Sequence, residues 1–162
     1  MTLPTRTLAA FAPHRHADDA IGLLQADHDE IQRLFAEYER PHTAQQKRAL
    51  VVAVCAALKV HTQIEEEMFF PDVEAELKAR PWAADSGIAR AGLRALIAQI
   101  EGGTGDDANN RILLEGLAEQ AGRLVRQEQD DMFPRVRASS MDLLELGARM
   151  AARRAGLLAL AG

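Results

Sequence analysis

The sequence predicts an all-α protein, an antiparallel up-down four-helix bundle with an additional C-terminal helix. Three observations predict it. Apolar residues recur at three- and four-residue spacing through four long segments. β-branched runs are few, and the six prolines fall near ends or breaks of those segments. One motif occurs twice, Glu67-Met68-Phe69-Phe70-Pro71 and Asp131-Met132-Phe133-Pro134, as two copies of one helical hairpin would give. A coiled coil would need sustained heptads with flanking charges, which the chain lacks.

The first helix is expected to start at Asp18 or Asp19, either of which can accept from the exposed N–H groups of a first turn. Its stripe is Ile21, Leu24, Ile31, Leu34, Phe35 and Tyr38, and Pro41 ends it. Thr43-Ala44-Gln45-Gln46 fits a capping box for the second helix, whose stripe runs from Leu50 through Val54, Leu58 and Ile64 to Phe69. Pro71 is expected to kink or interrupt it, with helix resuming to Leu77. Pro81-Trp82 opens the third helix, which carries Ile88, Leu93, Leu96, Ile97 and Ile100 and stops at Gly102-Gly103-Thr104-Gly105. The fourth follows Asp106-Asp107 with Leu113, Leu114, Leu117, Ala121, Leu124, Val125 and Met132, and Pro134 interrupts it in turn. A fifth helix, capped by Ser140, is expected to Ala159 with Leu143, Leu144, Leu146, Met150, Leu157 and Leu158.

At 162 residues the chain suits one domain, expected over 17–162 after an irregular lead-in over 1–16 that holds Pro4 and Pro13. Hydrophobic residues at 48% and charged residues at 27% exclude wholesale disorder. No run reaches the roughly 18 apolar residues of a membrane span. A net charge of -5 leaves no global basic field for nucleic acid. The single cysteine, Cys55, excludes an internal disulfide and any zinc site with two thiolates; it reads as a small core residue. The apolar stretch Leu8–Ala12 is too short for a secretory signal, so the expected location is cytoplasmic.

The informative residues are the polar ones on apolar stripes. His28 lies four after Leu24 and three before Ile31. His61 lies four after Ala57 and three before Ile64, and Glu65 follows it by one helical turn on the same face. Glu128 lies three after Val125 and four before Met132. Three helices thus aim two imidazoles and two carboxylates at one core. Buried unpaired carboxylates cost several kcal/mol, which a divalent cation offsets. This donor set suits iron, manganese or zinc. Core histidines also occur as plain hydrogen-bonded residues, and Glu128 could pair with an arginine. Pattern alone leaves the metal-bound and metal-free readings level.

These same residues resemble a known family. Asp27-His28-Asp29-Glu30-Ile31 and His61-Thr62-Gln63-Ile64-Glu65-Glu66-Glu67-Met68-Phe69-Phe70-Pro71 are similar to the first- and second-helix motifs of the hemerythrin-like, or HHE cation-binding, domains. The likeness spans about Asp18 to Arg137. It implies a four-helix bundle holding non-haem iron, with dioxygen or another small ligand as partner and His28, His61, Glu65 and Glu128 as metal ligands. The second half departs from the family pattern. Its two histidine positions fall on Arg90 and Leu124, and Gln129 replaces the acid that follows Glu128. The resemblance therefore implies at most one tightly bound ion, iron first, with zinc or manganese as alternatives. Arg90 is expected to reach Glu65 or Glu128 in place of a second cation.

The competing reading is a metal-free bundle serving as a structural or regulatory module. A ferritin-like di-iron oxidase needs two Glu-x-x-His motifs and is set aside. With no nucleophile–base pair, phosphate loop or cofactor fingerprint, the chain reads as a binding protein more than an enzyme. His14 and His16 are expected to be solvated rather than substitute ligands, and His42 to be a solvated loop residue. Glu66, Glu67 and the Arg149, Arg153, Arg154 face are expected to be solvated charge.

Overall fold

The computed structural model describes residues 18–78, 80–103 and 107–161, with the backbone alone at 80–84 and 107. The lead-in expected over 1–16, with His14 and His16, lies outside the described residues. Helix α1 spans Ala20–Tyr38; Asp19 caps it, its Oδ1 accepting from Gly22 N at 2.8 Å. Helix α2 spans Ala44–Ile64 and opens with the full capping box: Thr43 Oγ1 accepts from Gln46 N, and Gln46 Oε1 from Thr43 N.

Ahead of Pro71 the α-helix is interrupted by a change of hydrogen bonding. A π-helical turn, Glu65–Phe69, carries α2 directly into α3, Phe70–Leu77. Proline lacks an N–H and its ring strikes the carbonyl one turn back. The turn widens instead, and Phe70 N bonds Glu65 O, five residues earlier. The second half repeats this. Helix α4 spans Arg80–Glu101 and α5 spans Asp107–Gln127; a π-turn, Glu128–Met132, leads into α6, Phe133–Arg137, with Phe133 N on Glu128 O. Helix α7 starts later than expected, Leu143–Leu160, with Asp142 as its cap; Ser140 instead donates from Oγ to Glu76 Oε1 at 2.6 Å.

Two apolar clusters fill the bundle. One joins Ile31, Leu34, Val54, Leu58, Leu93, Ile97, Leu117 and Leu124 with their neighbours. The other joins Ile21, Leu24, Ile64, Phe69, Met132, Phe133 and Leu146. Helix α1 runs from the second cluster to the first, α2 from the first to the second, and α5 again from the first to the second. Helix α4 runs from Ser86 and Arg90 into the first cluster. Up, down, up, down follows directly. Ile88, expected in the core, is 75% exposed. The buried row on α4 is Ser86, Arg90, Leu93, Ile97 and Ile100, and Ile88 stands two residues, about 200° around the helix, from its nearest members. On α7, Leu146 and Met150 are buried while Leu144 and Leu158 face outward.

Helix α7 packs across α1, α2 and the first π-turn. Its arginines are not free solvated charge. Arg149 Nη2 donates to Asp72 Oδ2 at 2.7 Å, Arg153 forks onto Glu67 at 2.7 and 3.1 Å, and Arg154 pairs with Asp27. Gly147 is where α7 crosses the start of α1. A Cβ there would stand 2.6 Å from Asp18 O and 2.8 Å from Ala20 N, both rigid backbone. Gly156 on the same helix has nothing within 4 Å of that position. Gly147→Ala should therefore destabilise by about 1–3 kcal/mol through overpacking. Gly156→Ala should stabilise by about 0.5–1 kcal/mol through helix propensity. Denaturant unfolding of both variants checks the contrast, and equal shifts would refute close docking of α7.

Candidate metal centre

His28, His61, Glu65 and Glu128 meet between the two apolar clusters. One ligating atom from each lies within 4.8 Å of all the others, and all four residues are buried. Each comes from a helix position where the apolar stripe is broken once. The histidine rings stand edge to face with centroids 4.9 Å apart, and His28 stacks on Phe133 at 5.8 Å. Phe133 in turn meets Phe69 edge-on. The phenylalanines of the repeated motif are thus one wall of the site.

The outward nitrogens of the two rings are held from outside. His61 Nδ1 donates to Asp27 Oδ2 at 3.0 Å. Gln129 Nε2 donates to His28 Nδ1 at 3.1 Å, which puts that ring's proton on Nε2. A half-turn of the amide presents its oxygen instead and frees Nε2, because the amide's shape is unchanged. An acid at this position could only accept.

The inward atoms are not satisfied. His28 Nε2 stands 2.9 Å from Glu128 Oε2, but the pair lacks hydrogen-bond alignment, and both atoms are orphaned, as is Glu65 Oε1. His61 Nε2 lies 3.2 Å from Glu65 Oε1. Ligand atoms held about 2.1 Å from a metal ion stand roughly 3–4 Å apart, so a set spread over up to 4.8 Å would have to draw in to hold one ion. Orphaned, convergent nitrogen and oxygen atoms are the observation that fits a cation to these residues.

Protonation follows from the same crowding. Burial, then the neighbouring His61 charge, pushes His28 down to about 4. Burial opposes a charge on His61 too, but Glu65, with help from Asp27, outweighs it and holds that imidazole well above its ordinary value. Burial, then the Glu65 charge, raises Glu128 well above the usual carboxylate range. Burial also works to raise Glu65, but the neighbouring His61 charge outweighs it and holds Glu65 low. Without a cation, these shifts favour a proton on His61 beside Glu65, a neutral His28, and a Glu128 that keeps its proton to higher pH than an ordinary carboxylate.

Arg90 is buried as expected, but it reaches neither Glu65 nor Glu128. Its guanidinium stacks on Phe70, 3.9 Å from the ring centroid, and Nε donates to Glu66 Oε1 at 3.3 Å; Nη1 has no partner. Stacking on Phe70 fixes the guanidinium plane and turns its edge to Glu66, which Arg94 shares. Glu66 is therefore half-buried and paired rather than solvated. The Arg90 charge still acts on Glu128, against the upward pull of burial. Leu124 is buried as expected and lines a small cavity with Ile31, Leu58, Leu93, Glu65 and Glu128. His42 is not a solvated loop residue; Nε2 meets Glu37 O at 2.9 Å. Burial pushes the Cys55 thiol up to about 11.

The sequence places Arg154 in a solvated basic face and Asp27 only within the first-helix motif, with no link from either to His61. Asp27 had one signal: a metal-binding histidine needs an outer acceptor, and this acid stands among the bundle helices one residue before His28.

The family model for the hemerythrin HHE cation-binding domain matches residues 19–136. The chain belongs to that family. A crystal structure of a hemerythrin HHE cation-binding domain-containing protein from Mycobacterium kansasii has the same fold, with a TM-score of 0.72 and 21% identity over 86% of each chain. A search of curated proteins gave no match. HHE membership supports a metal cation at the cluster. Among the described residues, no helix is long and apolar enough to cross a membrane.

The protonation pattern separates the two carboxylates in the metal-free protein. Glu128→Gln replaces a protonated acid by an amide of the same shape and should shift stability by less than about 1 kcal/mol. Glu65→Gln strips the His61 imidazolium of its buried partner and should cost about 3 kcal/mol. Thermal unfolding after exhaustive chelation measures both; equal losses would contradict the assignment of the proton to Glu128.

Proposed function

We propose that this HHE protein binds one non-haem iron ion per chain at His28, His61, Glu65 and Glu128. The convergence of three orphaned buried atoms, His28 Nε2, Glu65 Oε1 and Glu128 Oε2, carries the reading. Two imidazoles and two carboxylates form a mixed nitrogen and oxygen set suited to iron, with zinc and manganese as competitors. When bound, the ion supplies an electrophilic, redox-capable centre. The chain's own part is to fix the rings through Asp27 and Gln129 and to exclude water with the Phe69–Phe133 wall.

Room beside the ligands is scant. The cavity bounded by Ile31, Leu58, Leu93, Leu124 and Val125 leaves about 10 Å³ for the centre of a water-sized sphere. That admits about one water or a diatomic molecule. An exogenous ligand of this site is therefore dioxygen or another molecule of that size.

A single ion follows from the second half of the bundle. Arg90 is a fixed cation and Leu124 is hydrocarbon; neither can ligate. The metal-free alternative relied on Arg90 neutralising Glu65 or Glu128, and its pairing with Glu66 weighs against that.

Metal analysis of the purified protein should give about one ion per chain, and His61→Ala should abolish binding because one imidazole remains. Arg90→His with Leu124→His should raise the capacity to two. A parent stoichiometry near two would overturn the single-ion reading, and none at all would favour the metal-free module. Binding should also weaken as pH falls. The ion requires a neutral His61 and an ionised Glu128, and both groups hold their protons more tightly than usual in the metal-free chain. Uptake therefore releases protons, and acid opposes it. Calorimetry in buffers of different ionisation enthalpy measures that release.

A further inference from the structure

Helix α7 lies beyond the matched residues 19–136, yet one of its side chains reaches the candidate metal centre through a relay. Arg154 Nη2 donates to Asp27 Oδ1. The other oxygen of the same carboxylate, Oδ2, accepts from His61 Nδ1 at 3.0 Å. The inward nitrogen of that ring is one of the four convergent ligating atoms. Three side chains from α7, α1 and α2 thus form one line ending at the site.

The relay differs from its neighbours. Arg149 and Arg153 pair with Asp72 and Glu67, and neither acid touches a ring nitrogen of the cluster. Their side chains are 44% and 39% exposed, as befits surface pairs of little energetic weight. Arg154 is 25% exposed, and Asp27 only 15%. A screened carboxylate with one imidazole partner could still rotate about its own bonds. A guanidinium on its second oxygen restricts that freedom and holds the other oxygen as the acceptor on His61 Nδ1. An acceptor-only group at Nδ1 keeps a proton there and leaves Nε2 as the ligating atom.

We propose that Arg154 is a positioning residue for the metal centre: it fixes Asp27, which fixes the ring orientation and tautomer of His61. The proposal rests on the metal-binding reading above. It makes α7 part of the ligand-holding apparatus rather than a cover on the bundle.

The test is a double-mutant cycle read by Fe²⁺ affinity, titrated anaerobically against a chromophoric chelator. Asp27→Asn should weaken binding about 10- to 100-fold, and Arg154→Gln, one step further out, about three- to tenfold. Arg154→Lys keeps the charge and should recover part of the loss. In the Asp27→Asn background, Arg154→Gln should cost nothing more, because its effect passes through that carboxylate. Arg149→Gln, which loosens α7 without touching Asp27, should stay within about twofold of the parent. Parent-like affinity in Arg154→Gln, or an equal loss in both backgrounds, would overturn the role of Arg154 while leaving the metal site standing. A parent chain that takes up no Fe²⁺ would overturn the metal reading and this one with it.

Discussion

Three buried atoms facing one another without an aligned hydrogen bond set the terms for this molecule. His28 Nε2, Glu65 Oε1 and Glu128 Oε2 lie in a thin polar layer, with apolar clusters on either side. Neither cluster can supply hydrogen bonds, so the layer must solve its own electrostatics. Without a cation it leans on protonation, with His61 and Glu128 both holding their protons more tightly than usual. That solution leaves orphans, and buried orphans are costly. The same layer fixes helix register. Sliding α1, α2 or α5 by one residue would rotate a ligand about 100° out of the core and an aliphatic side chain into the polar layer.

The internal repeat runs deeper in the backbone than in the ligands. Both halves carry a π-turn that opens on a carboxylate and closes at Phe-Pro. Proline explains the widening in each, since a regular turn would clash with its ring. The candidate ligand set is lopsided by contrast. The first half supplies both imidazoles and one carboxylate, whereas the second supplies Glu128 alone. In the second half a guanidinium stacked on Phe70 and a buried leucine, Leu124, stand in place of further imidazoles. The scaffold keeps its two-fold pattern although the chemistry is one-sided.

Much of this was legible in the sequence. The four inward residues break apolar stripes at three- and four-residue spacing, which helix geometry alone converts into a shared core. The caps at Asp19 and Thr43 follow from local hydrogen bonding and were equally readable. Pairings across the chain were not. Arg90 was placed inward correctly, but the partner of a long side chain depends on what stacks beside it, and Phe70 turned it to Glu66. Arg154 lies 127 residues from Asp27, and no spacing rule spans that gap. Ile88 failed for the opposite reason: hydrophobicity outvoted period, although Ser86 and Arg90 hold the buried row.

Arg90 also explains why a lopsided site can be stable as such. A fixed positive charge acting on Glu128 does part of what a second cation would do, without needing to be bound or retained. Its effect on Glu128 favours the ionised form, which is the form a first ion needs. The same charge repels a second divalent ion, and at the low effective dielectric of a core that repulsion acts over several ångströms. Phe70 and Glu66 keep the guanidinium from swinging aside to make room. A protonatable histidine at the same position could lose its charge and become a ligand; arginine cannot, because its pKa lies far above any working pH. On the single-ion reading, Arg90 therefore favours the ionised Glu128 and sets its charge against a further ion on its own side of the bundle.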